Sequence, residues 1–409
     1  APLKLADGGG ALTMQPRSIY AVTALPPGDL DLPQRIAGSG PSADALYQTA
    51  LISEGDHARL QHVLAKARRG EDIIIGVIGG SITGGAGASS RERSYGSLVA
   101  DWWRTTFPEA RIEFVNAGIG GTGSIYGALR AQRDLLSRQP DFVITEFAVN
   151  DGADQACADS IEGLTRQILT QPNSPANLML FMVHHHEEQA RNVQAAQIPV
   201  GEHYGLPAIS FRDAVWTEIE AGRLTWESIL ADTVHPNDAG HRLAADLVIH
   251  HLEKVLANLP AAPDLATVAA APDPLHTDAF EQVVLHEAGK AALRRADGWE
   301  VEDGDWRGKW WAASQPGSVL ELEIDGDVLT VYTNRTDACT GVAEVTVDDG
   351  ESAKIHGWFG GDILSSGLLF RGLGAGRHTV RVTLLEETWP EGDDHTVRVY
   401  AFGAAAVRP

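Results

Sequence analysis

The hydrophobic period of this chain changes once, and that change limits it to two kinds of architecture joined end to end. From about residue 56 to 260, short continuous apolar runs alternate with stretches of helical spacing. Ile73 to Ile78, Arg111 to Val115, Asp141 to Ala148, Leu178 to Val183 and Ala208 to Phe211 read as strands buried on both faces. Each is followed by a predicted helix: Tyr95 to Thr106, Ile125 to Leu136, Ile161 to Leu169, a polar stretch through Gln197, and Asp213 to Ala221. A helix over Asp56 to Arg69 precedes them and a long amphipathic one over Asp238 to Leu259 closes the series. Strand–helix alternation of this kind predicts an α/β fold with a parallel sheet wrapped on both faces.

Beyond Pro274 the period is two. Val319 to Ile324, Val328 to Tyr332, Val342 to Val347, His378 to Leu384 and Thr396 to Tyr400 alternate apolar and polar residues, separated by Gly- and Asp-rich turns. That pattern predicts an antiparallel β-sandwich. The expected organisation is a lead-in over 1–55 that packs on the main domain, an α/β domain over 56–260, a linker over 261–277 and a sandwich over 278–409. The linker is expected from Pro260 to Pro274, where Pro and Ala leave no regular element.

The net charge of −23 over 409 residues argues against a nucleic-acid partner and against anionic membrane surfaces. No apolar run approaches the ~20 residues of a membrane helix. The two cysteines, Cys157 and Cys339, fall in different predicted domains, so two free thiols are expected. A first residue of Ala1 fits removal of a secretion signal, and equally a trimmed chain, so a secreted or periplasmic location is expected ahead of a cytoplasmic one. Nothing in the sequence specifies an oligomeric state.

In an open α/β sheet, ligands bind outside the carboxyl ends of the strands. Ser81 follows the first predicted strand, Asn116 to Gly121 the second, Asn150-Asp151 the third and His184-His185-His186 the fourth, while Asp232 and His235 follow the fifth. All the unusual polar clusters therefore fall on one rim. Taken singly each has a plain reading: a glycine turn, a helix cap, a strand end. The glycine loop at 79–85 lacks the Lys-Ser/Thr ending of a phosphate loop and the spacing of a dinucleotide site.

In this order the clusters resemble the SGNH, or GDSL-type, hydrolases. The matching blocks are Gly79-Gly80-Ser81-Ile82-Thr83, Asn116-Ala117-Gly118-Ile119-Gly120-Gly121, Val149-Asn150-Asp151 and Asp232-Thr233-Val234-His235-Pro236. Two positions depart from the family pattern: Gly80 stands where Asp is usual, and Ala148 where Gly is usual. The resemblance covers about residues 70–260 and implies a three-layer α/β/α, flavodoxin-like fold. It implies Ser81 as nucleophile, His235 as general base and Asp232 as its orienting acid. The backbone N–H groups of Ser81 and Gly121 and the Asn150 amide would form the oxyanion hole. This chemistry calls for no cofactor and no metal.

His184 to His186 can wall the substrate pocket or end a strand; a zinc site there lacks further ligands in the sequence. Trp299, Trp306, Trp310, Trp311, Trp358 and Trp389 either fill a core or interface or present aromatic faces to sugar rings. The expected function is hydrolysis of an O-acetyl or other short acyl ester on a carbohydrate, the substrate being a small-molecule, oligosaccharide or polysaccharide ester. The alternatives are a lipid esterase or thioesterase on the same machinery, and a catalytically silent carbohydrate-binding protein.

Overall fold

The computed structural model describes residues 43–185, 193–261, 270–304 and 307–406. Most of the lead-in, His186 with the polar stretch to residue 192, residues 262–269 of the linker, and Trp306 lie outside the described residues.

The first half contains helices α1 (Ala43–Ala50), α2 (Ala58–Arg68), α3 (Ser81–Gly84), α4 (Tyr95–Thr106), α5 (Ser124–Asp134), α6 (Gln155–Leu169), α7 (Val193–His203), α8 (Phe211–Glu220), α9 (Trp226–Ile229) and α10 (Asp238–Ala257). Its strands are β1 (Leu51–Ser53), β2 (Ile73–Gly79), β3 (Ile112–Gly118), β4 (Phe142–Glu146), β5 (Ala176–Phe181) and β6 (Ala208–Ser210). They lie in the order β1-β6-β5-β4-β2-β3. The pairs from β3 through β6 are all parallel. Numbered among themselves, these five parallel strands run 2-1-3-4-5, the flavodoxin-like order, whose switch point lies between β2 and β4.

The described part of the lead-in packs on the main domain, where α1 contributes Tyr47 and Ala50 to the core. Two local expectations are corrected. The sheet is not all parallel, because β1 adds an antiparallel edge to β6. A three-residue edge strand is too short to show a period, so the all-parallel expectation missed it. Asn116 does not follow the second strand but lies in it, because β3 stays paired with β2 as far as Gly79 and Gly118.

The second half contains β7 (Gln282–Glu287), β8 (Arg295–Asp297), β9 (Glu300–Asp303), β10 (Lys309–Ala313), β11 (Val319–Asp325), β12 (Val328–Thr336), β13 (Gly341–Val347), β14 (Ser352–His356), β15 (Asp362–Arg371), β16 (Arg377–Thr388) and β17 (Val397–Ala406). They form two antiparallel sheets, β15-β12-β17-β10-β9 with β7 also on β17, and β14-β13-β16-β11-β8. Leu320, Leu322, Val345, Val380 and Val382 of one sheet meet Leu329, Val331, Val399 and Phe402 of the other. Trp299 and Trp311 are part of this core, which gives them a packing role. Trp310, next to Trp311 on β10, is buried outside that cluster, donating Nε1–H to Glu302 at 3.1 Å with the Arg398 guanidinium 5.5 Å from its ring. Trp358 and Trp389 are half-buried, with Trp389 stacked on His356 at 3.8 Å between ring centroids.

The outer face of the β12–β17 sheet is covered too. Tyr332, Leu364, Tyr400 and Ala401 pack with Ile119, Tyr126 and Leu129 of the α/β half. Gly403 permits the closest approach, since a Cβ there would lie 2.3 Å from Leu129 Cδ1. At the chain's crossing point, the Glu162 carboxylate accepts the N–H groups of Leu275, His276 and Thr277 at 2.5, 2.8 and 2.9 Å. Arg166 pairs with Glu281 at 2.9 Å beside it. The two halves therefore share buried contacts rather than meeting through a loose tether. Cys157 and Cys339 are both buried free thiols. Among the described residues, no helix is long and apolar enough to cross a membrane.

Candidate active site

Ser81 opens α3 directly after β2 ends, at the switch point of the sheet. Glycine is required just before it: a Cβ on Gly79 would sit 2.1 Å from Thr83 Oγ1 and 2.2 Å from the Glu146 carbonyl oxygen. The α3 turn is closed by Gly84 N–H donating to the Gly80 carbonyl at 3.0 Å.

Asp232 and His235 lie on the tight loop between α9 and α10. That loop is pinned by Ala231 N–H to the His235 carbonyl (2.8 Å) and Asn237 N–H to the Ile229 carbonyl (3.0 Å). Asn237 also caps α10 through Ala239 and Gly240 N–H. Asp232 Oδ1 accepts the N–H groups of Val234 and His235, each at 2.7 Å. Its Oδ2 lies 2.7 Å from His235 Nδ1, and His235 Nε2 lies 2.9 Å from Ser81 Oγ. An ionised carboxylate can only accept, so Nδ1 carries the proton and Nε2 is left to accept the Ser81 hydroxyl. Partial burial pushes the Asp232 carboxyl up, but His235 and the loop N–H groups outweigh it and hold its pKa below the usual range.

The histidine is buttressed from a second loop. A Cβ on Gly87 would lie 2.8 Å from His235 Cβ and 2.2 Å from the Pro236 carbonyl oxygen. This loop is tied to α10 by Asp238, which accepts Ser89 N–H and Oγ–H at 2.7 Å each, and by His241, whose Nε2 contacts the Ala86 carbonyl at 3.0 Å. Since His241 Nδ1 accepts Tyr95 N–H at 3.3 Å, its Nε2 is the donor. Neither Asp238 nor His241 stood out in the sequence, because both read as ordinary residues of an amphipathic helix. His185 also contributes: its N–H donates to the Thr233 carbonyl at 2.9 Å, joining the end of β5 to the acid loop. Among the described residues no three His, Cys, Asp or Glu side chains converge as a metal site.

Gly121 turns with φ +70°. A Cβ there would meet Ile363 Cδ1 at 2.7 Å, so a strand of the sandwich sits directly against this turn. The Asn150 side chain lies alongside Gly80, its Oδ1 being 2.0 Å from where a Cβ at 80 would be. The Asp usual in the family at position 80 would require that amide to move. Asn116 braces the α3 turn by donating from Nδ2 to the Thr83 carbonyl at 2.8 Å. Asp151 accepts Ser124 N–H at 2.7 Å at the start of α5 and Gln197 Nε2–H at 2.7 Å. Burial pushes its carboxyl up to about 7.

Beneath the serine lies Glu146, fully buried at the end of β4, with its carboxyl pushed up to about 8 by desolvation. It contacts Thr83 Oγ1 at 3.3 Å, and Thr83 Oγ1 contacts the Tyr95 hydroxyl at 2.8 Å. An acid inside the apolar run Phe-Val-Ile-Thr-Glu-Phe was the signal that could have flagged it. Chemically, the arrangement offers a hydroxyl that an oriented imidazole can deprotonate.

Residues 77–243 match the GDSL-like lipase/acylhydrolase family. A crystal structure described as a two-domain esterase active on acetylated mannans, co-crystallised with mannopentaose, is 31% identical. The alignment covers 89% of this chain and 98% of that one, with a TM-score of 0.80. A second crystal structure of a two-domain esterase active on acetylated mannans aligns at 31% identity over 88% of this chain and 99% of that one, with a TM-score of 0.81. This chain belongs to the GDSL-like lipase/acylhydrolase family. It is a carboxylic ester hydrolase with an appended β-sandwich, an arrangement it shares with that two-domain esterase over nearly its whole length. No curated protein matches the sequence.

Proposed function

We propose that this GDSL-family hydrolase removes acetyl groups from an acetylated carbohydrate, of which an acetylated mannan is the leading candidate, through an acetyl-enzyme on Ser81. Ser81 Oγ attacks the ester carbonyl while His235 Nε2 takes its proton. The tetrahedral oxyanion is held by the N–H groups of Ser81 and Gly121 and the Asn150 amide. As it collapses, the bond to the sugar oxygen breaks and His235 returns the proton to that oxygen. Water, deprotonated by His235, then attacks the acetyl-enzyme, releasing acetate and restoring Ser81. Asp232 keeps the ring in the required tautomer and steadies the imidazolium.

One observation carries this reading: the continuous hydrogen-bonded series Ser81–His235–Asp232, at 2.9 and 2.7 Å, in a chain aligned over 89% of its length with an esterase active on acetylated mannans. A secreted or periplasmic location suits a polymeric substrate. The test is acetate release from acetylated manno-oligosaccharides, run beside a chain-length series of nitrophenyl esters. Acetate release with a preference for two-carbon esters is expected. A preference for acyl chains of eight carbons or more, with no acetate released from the oligosaccharide, would favour a lipid ester instead.

A further inference from the structure

We propose that Arg130 is a positioning residue for the oxyanion side of the site: its guanidinium fixes the relative placement of the two turns that carry Ser81 and Gly121. The proposal rests on the esterase reading above and adds a residue that lies outside the four family blocks.

Arg130 is on α5 and is fully buried. One terminal nitrogen donates to the Gly79 carbonyl at 3.0 Å, the other to the Ala117 carbonyl at 2.6 Å and to Asp134 Oδ2 at 3.2 Å. Gly79 ends β2, just ahead of Ser81, and Ala117 lies near the end of β3, just ahead of the Gly121 turn. The ladder between the two strands stops at Gly79 and Gly118, after which each chain enters its own turn. The two backbone donors proposed for the oxyanion come one from each turn. Their spacing must hold to a few tenths of an ångström for both to reach one oxygen. The planar fork of Arg130 bridges the Gly79 and Ala117 carbonyls just ahead of that divergence, a geometry that neither a lysine nor an amide can reproduce. The Gly79 carbonyl also accepts Ile119 N–H at 3.0 Å.

Stability alone is a weak reason for the residue. Taking a cation out of water is costly, and a well-packed apolar side chain of similar volume often serves a fold as well or better. Here the charge is retained and compensated: Asp134 is shared with Arg133, and Arg133 also pairs with Glu287 of β7 at 2.5 Å. The Tyr126 ring lies 5.5 Å from the Arg130 guanidinium carbon and packs on Tyr332 of β12 at 4.5 Å between centroids. The fork is thus held from behind by residues of both halves of the protein.

The experiment uses the full chain with Arg130→Lys and Arg130→Gln, measuring kcat and KM on p-nitrophenyl acetate and the rate and extent of fluorophosphonate labelling at Ser81. In Arg130→Gln kcat should fall by at least about tenfold, a part of the ~10²–10³ that a whole oxyanion donor carries, with KM within about twofold. Arg130→Lys should be intermediate, and both variants should label to completion but more slowly. Either variant keeping kcat and labelling rate within about twofold of the parent would overturn the proposal, and Arg130→Lys suffices if Arg130→Gln does not fold. So would a loss of activity that merely equals the fraction of protein unable to label, which is the signature of a folding role. If the parent protein labels no better than Ser81→Ala, the esterase reading fails and this proposal with it.

Discussion

Ile363, on a strand of the sandwich, lies so close to Gly121 that a single added methyl group at 121 would come within 2.7 Å of its Cδ1. The Gly121 turn is therefore shaped by both halves of the protein. Gly121 is constrained twice, by its φ of +70° and by this contact.

Gly121→Ala should reduce kcat by roughly 10²–10³, as loss of one oxyanion donor does, and cost about 1–3 kcal/mol of stability from backbone strain. Adding Ile363→Ala removes the collision but not the strain, so the double variant should recover part of the stability and little of the activity. Steady-state kinetics and urea unfolding read the two effects separately. A fully active Gly121→Ala would remove this turn from the oxyanion site.

Asp232→Asn should lower kcat by about 10²–10⁴ with little change in KM. The lower end is expected because the Asp232 side chain is 55% exposed, so water partly screens its interaction with the imidazolium. The asparagine oxygen can still accept the Val234 and His235 N–H groups, which should preserve the loop. Unchanged kcat would exclude Asp232 as the orienting acid.

Glu146 makes stability depend on pH in a defined direction. Its pKa is raised from the usual 4.5 to about 8 in the folded protein. The contribution is fully present below about pH 4.5 and is lost as pH rises through about 8. Glu146→Gln mimics the protonated acid, so its stability advantage over the parent should grow between pH 5 and 8 and then level off. Asp151, raised from 3.8 to about 7, adds a parent trend of the same sign at lower pH. Thermal unfolding of both proteins across that range is the measurement; parallel profiles would contradict the assignment.

The parts of this molecule legible in its sequence are those whose pattern has a period or a motif. Continuous apolar strands followed by helices gave the wrapped sheet, and the four blocks brought forward Ser81, Gly121, Asn150, Asp232 and His235. What escaped notice depends on tertiary contact. Arg130 and His241 sit on the inner faces of helices, where a polar residue cannot be told from a solvated one without knowing which face is covered. The edge strands β8 and β9 are exposed along their length and show no alternation. The run Val-Leu-Thr-Val-Tyr of β12 is buried on both faces because α5 covers the side a lone sandwich would leave in water.

Glu162 offers a test of the junction between the halves that leaves the chemistry alone. Glu162→Ala removes the acceptor for three backbone N–H groups at 275–277, and should cost about 1–3 kcal/mol because water can replace only part of that bonding. The urea midpoint should fall while kcat on p-nitrophenyl acetate stays within about twofold. A large drop in kcat at unchanged stability would mean that the junction governs the site directly.

The most direct test is mass spectrometry of the intact protein and its peptides after reaction with a fluorophosphonate, beside acetate release from acetylated manno-oligosaccharide, for the parent and Ser81→Ala. One adduct on Ser81 and steady acetate release are expected in the parent, with both abolished in Ser81→Ala. An adduct on another residue, or acetate release that survives the loss of the Ser81 hydroxyl, would contradict the account.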